Sequence, residues 1–250
     1  MATPKPPRIG PYLVHMDLVN QKWIPSYDEY PFSVKALGKL ERLTFHPKVT
    51  FFIGENGSGK SLLLESLAVK MNLNPEGGSR NFQFATKSTH ADVERFLRVG
   101  ILASPSDAYF LRAETFYNVA TQVEELGVGD AYGPKAPHEL SHGESFMAIM
   151  QHRIQGSGLY LMDEPEAALS PRRQLEFLSY LHRFCEMGGQ FVIATHSPIL
   201  MAYPNAIIYE FGPHGIREVK YEATDHYSIT RGFLANPKKM LDRLMDDGEE

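Results

Sequence analysis

The sequence predicts an α/β fold, with a mainly parallel core sheet flanked by helices, a small antiparallel β layer ahead of it and a helical subdomain, and three stretches predict its core. Val49–Ile53, Leu159–Met162 and Gln190–Thr195 are short, buried-looking runs. The first two are each followed within a few residues by a helix start and a segment of helical period, and strand-then-helix repetition is the pattern of a parallel sheet. Each run leads into polar residues, Glu55-Asn56, Asp163-Glu164 and Thr195-His196-Ser197, at the end of a parallel strand where such sheets bind their ligands.

After the first run stands GENGSGKS, Gly54 to Ser61, which matches G-x-x-x-x-G-K-[ST]. Gly54, Gly57 and Gly59 can take backbone angles closed to other residues, so the N–H groups from Gly54 through Glu55, Asn56, Gly57, Ser58 and Gly59 can turn inward towards an anion. Lys60 adds a point charge for the β- and γ-phosphates of a nucleotide, and Ser61 offers a hydroxyl to Mg2+. Leu63, Leu67, Ala68 and Met71 give the next segment a helical stripe, and the N-terminus of that helix faces the same anion. An ordinary glycine turn is the competing explanation, and the strand before and helix after weigh against it.

At 250 residues with 43% hydrophobic content, the chain has the length and apolar content for one α/β domain spanning 1–250. We divide it into a lead-in and N-terminal β layer (1–48), the P-loop strand and helix (49–72), a helical region (73–158), a second core block (159–221), and C-terminal helices with an acidic tail (222–250). The net charge of −5 gives nucleic acid or anionic membrane no support. The single cysteine, Cys185, rules out an intrachain disulfide and reads as a small core residue in a reducing compartment. Pro4, Pro6, Pro7 and Pro11 stand where a signal peptide would be apolar, and no run approaches the ~18 residues that span a bilayer. The expected location is the cytoplasm, with no membrane insertion.

In chain order, residues 1–11 are a proline-rich lead-in. Tyr12, Val14, Met16 and Leu18 alternate as in a half-buried strand, and Leu40, Leu43 and Phe45 suggest a second, the two forming an antiparallel layer before the P-loop. Tyr30 or Phe32 could stack on an adenine ring, with core packing the simpler role. Val93, Phe96, Leu97 and Ile101 read as helical, Ala108–Arg112 as a strand, 115–126 as a helix and 127–137 as a Gly/Pro loop. LSHGES follows at 140–145. Ser141 with Glu144 three residues on forms a capping box, an entirely structural explanation taken alone, and Phe146, Met147, Met150 and Ile154 continue the helix.

The second core strand ends in Asp163-Glu164. A carboxylate there suits Mg2+, a hard cation that takes oxygen ligands, and Asp163 fits that role. Glu164 is then in reach to orient and deprotonate an attacking water. Ser170-Pro171 starts a helix whose expected buried face is Leu175, Leu178, Leu181 and Cys185, ending at Gly188-Gly189. The third strand delivers His196 to the same sheet edge. Residues 206–211 and 216–221 read as a hairpin, and helices from Thr224 carry Phe233, Leu234, Met240, Leu241, Leu244 and Met245 before the tail.

The P-loop, LSHGE, LYLMDE and ATHS, in that order and at fitting intervals, resemble the ATP-binding cassette (ABC) ATPases from about residue 30 to 211. The resemblance implies an ABC-type P-loop NTPase in which two copies close head to tail on ATP. Ser141, Gly143 and Glu144 would then contact the γ-phosphate held by the partner's Lys60. It implies Glu164 as catalytic glutamate, His196 as switch histidine and Glu166–Ser170 as the D-loop. His142, Glu144 and Ser170 depart from the usual residues. Glu114, beyond the strand ending in Leu111-Arg112, stands at the place of the glutamine-loop residue that helps hold the metal, whereas Gln83 is a glutamine that arrives early. The LS-x-GE signature and DEPE-x-x-L-S-P segment look more like the non-transport branch containing chromosome-maintenance and RecF-like proteins and small AAA-type ATPases. The short interval between Lys60 and Ser141 leaves no room for a coiled-coil arm.

Three functions follow from these readings. One is an ATP-driven homodimerisation switch read by a protein effector or by nucleic acid, the latter suggested only by Arg172-Arg173 and Lys238-Lys239, which solvated helix faces explain as well. The second is the nucleotide-binding subunit of a transporter. The third, a non-hydrolysing ATP scaffold, has no need of the water-activating acid that Glu164 supplies.

Overall fold

The computed structural model describes residues 10–19, 21–79, 92–114 and 141–246. The expected helix over 115–126, the loop over 127–137, Gln83, nearly all of the lead-in and the end of the acidic tail lie outside them. The strands in chain order are β1 (Leu13–Leu18), β2 (Leu43–Thr44), β3 (Val49–Gly54), β4 (Gly78–Ser79), β5 (Leu97–Ile101), β6 (Ala108–Arg112), β7 (Leu159–Asp163), β8 (Gln190–Ala194), β9 (Ile207–Gly212) and β10 (Gly215–Glu218). The helices are α1 (Lys35–Gly38), α2 (Lys60–Lys70), α3 (His142–Ala148), α4 (Pro171–Glu186), α5 (Pro198–Met201), α6 (Asp225–Ala235) and α7 (Pro237–Asp246). No helix among the described residues is long and apolar enough to cross a membrane.

The larger sheet has the order β10-β9-β3-β8-β7-β6-β4. β9, β3, β8, β7 and β6 run parallel, and β10 and β4 close the two edges antiparallel. Every residue of β3, β7 and β8 is buried, as continuous apolar strands covered on both faces must be. Alternate side chains feed two cores, because successive residues of a strand point to opposite faces. Phe52, Leu161 and Val192 pack with Leu63, Leu64 and Leu67 of α2 and with Leu13, Met16 and Leu37 from the N-terminal part. Phe51, Ile53, Met162 and Ile193 pack on the other face with Phe146, Phe177 and Leu181 of α3 and α4.

The antiparallel layer has the order β2-β1-β5 and so takes its third strand from beyond the P-loop. The helical period read over 93–101 therefore holds only for a 3-10 turn at Asp92–Phe96, and Leu97–Ile101 is a strand. Its antiparallel partner supplies the reason: Arg98 lies opposite Asp17 in the register and donates to it from Nε and Nη2 at 2.9 and 3.0 Å. In β1 the expected alternation breaks, because the register shifts between Leu13 and His15. Leu13 is buried and Val14 exposed, while Met16, Asp17 and Leu18 are all buried. A buried glutamine joins this layer to the main sheet. Gln190 Oε1 accepts from Tyr12 N and Leu13 N at 2.8 Å each, and its Nε2 donates to Leu13 O and His46 O.

The face of α4 also differs from the expected leucine stripe. Gln174, Phe177, Leu181, Phe184 and Cys185 are buried, whereas Leu175 is 58% exposed. Phe32 is buried against Tyr27 and Phe96, and Tyr30 is exposed.

Candidate functional site

β3 runs into the P-loop and α2 leaves it. Gly54 has φ +136°, and a Cβ there would stand 2.3 Å from Phe211 O of β9, so the loop can start at this point only with glycine. Gly59, at φ +102°, is the N-cap of α2. Lys60 turns back over the loop, its Nζ donating to Gly54 O at 2.7 Å and to Glu55 O at 3.0 Å. Burial lowers its pKa, against the pull of Glu164, Asp163 and Glu55. Ser61 Oγ donates to Asp163 Oδ1 at 3.0 Å, so β7 lies beside the first turn of α2.

The carboxylates occupy the C-terminal end of β7. Asp163 is 6% exposed, and burial pushes its pKa up to about 6 although Arg112 and the Ser61 hydroxyl favour the anion. Arg112 is its register partner on β6, with Nε 3.8 Å from Asp163 Oδ2. The same guanidinium donates from Nη1 to Glu65 Oε2 and Pro75 O, and Nη2 lies 3.5 Å from Glu114. Glu114 itself is 80% exposed at the side chain and reaches the site through that arginine. Glu164 turns into the left-handed region at φ 50°, its N–H donating to Ala194 O at the end of β8. A non-glycine residue there costs of order 1–2 kcal/mol, a cost found most often where chemistry requires a particular side-chain direction.

His196 follows β8. Its Nε2 is 3.5 Å from Glu164 Oε1, an ion-pair distance without hydrogen-bond alignment. Its main-chain N–H donates to Glu166 Oε1 at 2.5 Å, and Thr195 Oγ1 donates to Glu166 Oε2 at 2.7 Å. Burial and Lys60 lower the pKa of the ring.

The LSHGES segment is placed elsewhere. Ser141 caps α3, its N–H and Oγ both directed to Glu144 Oε2, and the capping box is complete. A Cβ on Gly143 would meet Ala168 O at 2.9 Å and Arg173 beyond it, so this helix end packs on the 166–173 segment. A cavity of about 710 Å3 opens beside the P-loop, walled by Val34, the N-cap of α1, and Lys35, by Glu55 to Ser58, by the β9–β10 turn, and by His226 of α6. Ser141, Gly143 and Glu144 are not among its walls.

A family model described as "ABC transporter" matches residues 42–167, half the chain, from just before the P-loop to just past the two carboxylates. The chain belongs to the ABC ATPase family. ABC ATPases bind ATP and hydrolyse it as P-loop NTPases, and this chain is an ATPase of that kind. A second model, described as "AAA domain, putative AbiEii toxin, Type IV TA system", matches residues 137–202. A "Putative ABC transporter ATP-binding protein" of Caldanaerobacter subterraneus subsp. tengcongensis is 30% identical over 193 residues, 69% of this chain and 75% of that protein. The thiamine import ATP-binding protein of Haemophilus influenzae is 29% identical over 165 residues, 58% of this chain and 74% of that protein. Among solved structures, cbiO1 from Clostridium perfringens aligns with a TM-score of 0.50 at 16% identity, covering 94% of this chain and all of that one, a likeness of fold.

Within this ABC ATPase, buried orphan atoms mark where ligands fit. Among the described residues, Ser58 Oγ, Arg112 Nε, His196 Nε2 and His226 Nδ1 are buried without a hydrogen-bond partner, and all four surround the P-loop and the carboxylates. The hydroxyl of Ser61 and the carboxylate of Asp163 offer the hard oxygen donors that Mg2+ takes alongside water and phosphate. Arg112 and His226 were not read as site residues from the sequence, and Glu166 was read only as the first residue of the D-loop that the resemblance implies, not as a support of His196. Arg112 had a usable signal, a charge at the end of a predicted strand. Glu166 had a weak one, a third acid close behind Asp163-Glu164. His226 had none.

Proposed function

We propose that the protein is an ATP-driven dimerisation switch: two copies close on ATP, hydrolyse it and reopen, with the two states read by a protein effector in the cytoplasm. The observation that carries this reading is the separation of two half-sites. Lys60, Ser61, Asp163, Glu164 and His196 converge at one end of the sheet, whereas Ser141 and Glu144 form the capping box of a helix whose start, at Gly143, packs on the 166–173 segment. A second copy, turned head to tail, supplies the missing anion contacts from its α3 N-terminus.

In the closed state the loop amides and Lys60 hold the β- and γ-phosphates, and Lys60 exchanges its two carbonyl partners for phosphate oxygens. Ser61 and Asp163 hold Mg2+, which when bound neutralises charge on the phosphates, and Glu114 stands behind Arg112 at the edge of that set. The cavity beside the P-loop receives the ribose and base; its volume is in the range of small-molecule sites, roughly 300–1,000 Å3. Glu164 accepts a proton from the attacking water as its oxygen bonds to the γ-phosphorus, and the bond to the ADP oxygen breaks. His196 Nε2 donates to a γ-phosphate oxygen as charge develops there.

The test is light scattering on size-exclusion-purified Glu164→Gln protein with and without Mg-ATP. An ATP-dependent dimer is expected, with ATP hydrolysis slowed by about 100-fold or more. A variant that binds ATP and stays monomeric overturns the homodimer. The relatives' names favour one other reading, a nucleotide-binding subunit of an ABC transporter. Co-purification with a membrane permease decides for it.

A further inference from the structure

The chain after β10 brings a second histidine to His196. His226, in the first turn of α6, places its Nε2 3.5 Å from His196 Nδ1, with ring centroids 5.6 Å apart and planes at 49°. We propose that His226 is a positioning residue for ATP hydrolysis: it donates to His196 Nδ1 and so holds His196 as the tautomer whose Nε2–H faces Glu164 and the phosphate space. The proposal rests on the reading of His196 as the γ-phosphate contact.

The tautomer follows from the two neighbours. A neutral imidazole carries one ring proton and one bare nitrogen. Glu164 Oε1 stands 3.5 Å from His196 Nε2, and a bare lone pair there would oppose the carboxylate, so the proton belongs on Nε2. Nδ1 is then an acceptor, and His226 Nε2 must be the donor. Both rings are held neutral. Burial lowers both pKa values, each with the help of a nearby basic group, Lys60 for His196 and His196 for His226. The charged groups around the pair are Glu164 at the end of β7, Glu166 on the His196 main chain, Glu55 and Lys60 in and beside the P-loop, and Glu210 on β9.

The position of His226 is built. Thr224, fully buried, caps α6 by accepting from Tyr227 N at 3.2 Å, and its Oγ1 donates to Tyr221 O at 2.8 Å. Tyr221 Oη in turn donates to Pro198 O at 2.9 Å, fastening this turn to the chain just past His196. The His196 main chain is held from the other side by Glu166. With the main chain held by Glu166 and Nδ1 by His226, the ring is oriented so that Nε2–H is directed towards Glu164 and the space beside it. A second-layer group that sets a histidine tautomer in this way changes activity by about 10- to 100-fold where it has been measured at metal sites.

The experiment compares His226→Leu, which fills space without a donor, with His226→Gln, whose amide can donate to Nδ1. The readouts are histidine side-chain 15N shifts, with the His196 signals assigned by their loss in His196→Ala, and steady-state ATP hydrolysis. The wild-type protein is expected to show the Nε2–H tautomer. His226→Leu should show a tautomer mixture with kcat lower by about 10-fold and KM within about twofold, and His226→Gln should recover both. His196→Ala/His226→Leu should be no slower than His196→Ala alone. An unchanged His196 tautomer in His226→Leu, or a further loss in the double variant, overturns the proposal. Undiminished kcat in His196→Ala would instead remove the phosphate-contact reading, while the 15N comparison still decides whether His226 orients the ring.

Discussion

Asp163→Asn separates the cost of burying a carboxylate from its use. Asp163 is 6% exposed, and its pKa stands at about 6 against an ordinary 3.8, because burial outweighs Arg112 and the Ser61 hydroxyl. The folded value lies above the unfolded one, so the native state takes up a proton between those limits. The penalty on folding is therefore fully present above about pH 6 and is relieved as pH falls to about 4. A displacement of about two units at about 1.36 kcal/mol each amounts to about 3 kcal/mol. Asparagine keeps an oxygen for Ser61 Oγ and carries no charge. Free of nucleotide and Mg2+, the variant should be more stable than the wild type by about 3 kcal/mol near pH 7.5, and the gain should fade near pH 4. Urea denaturation at the two pH values measures it, with hydrolysis assayed in parallel and expected to be lost. Equal or lower stability near pH 7.5, or a gain that persists near pH 4, would refute burial as the dominant cause.

Three further outcomes follow from packing. Gly54→Ala puts a Cβ 2.3 Å from Phe211 O at φ +136°, and should lower stability by about 2 kcal/mol or more and weaken ATP binding; a variant with unchanged melting and binding would show that the loop relaxes freely. Gln190→Leu removes four hydrogen bonds, three of them buried, that tie Tyr12, Leu13 and His46 to β8, so it should cost about 3 kcal/mol or more and speed amide exchange in β1. Leu181→Ala should cost about 2–5 kcal/mol in chemical denaturation, whereas Leu175→Ala should stay within about 0.5 kcal/mol, the reverse of nothing more than their shared place in a leucine stripe.

The parallel core was legible because its signals are local. β3, β7 and β8 are uninterrupted runs between turn signals, and burial on both faces leaves no alternation to misread. The errors fall where a distant partner decides. Leu97–Ile101 satisfies helical spacing, and only pairing with β1, far earlier in the chain, makes it a strand. On α4, hydrophobicity selects Leu175 and passes over Gln174. Gln174 is nonetheless the buried residue, because its Nε2 donates to Leu169 O and its Oε1 accepts from Ser197 Oγ.

The same division runs through the site. Lys60, Ser61, Asp163, Glu164 and His196 sit in motifs whose chemistry is written within a few residues, and the sheet order brings them together. Their supports have no such local signature. Arg112 could be placed at the end of a strand, but its effect on Asp163 depends on β6 lying beside β7, and no local pattern states that order. His196 depends on three segments at once: Glu166 holds its main chain, Glu164 faces one ring nitrogen and His226 the other. With a different group facing each ring nitrogen, the role of this histidine is set by residues 164 and 226, and a motif read from four residues of sequence needs residue 226 to explain it.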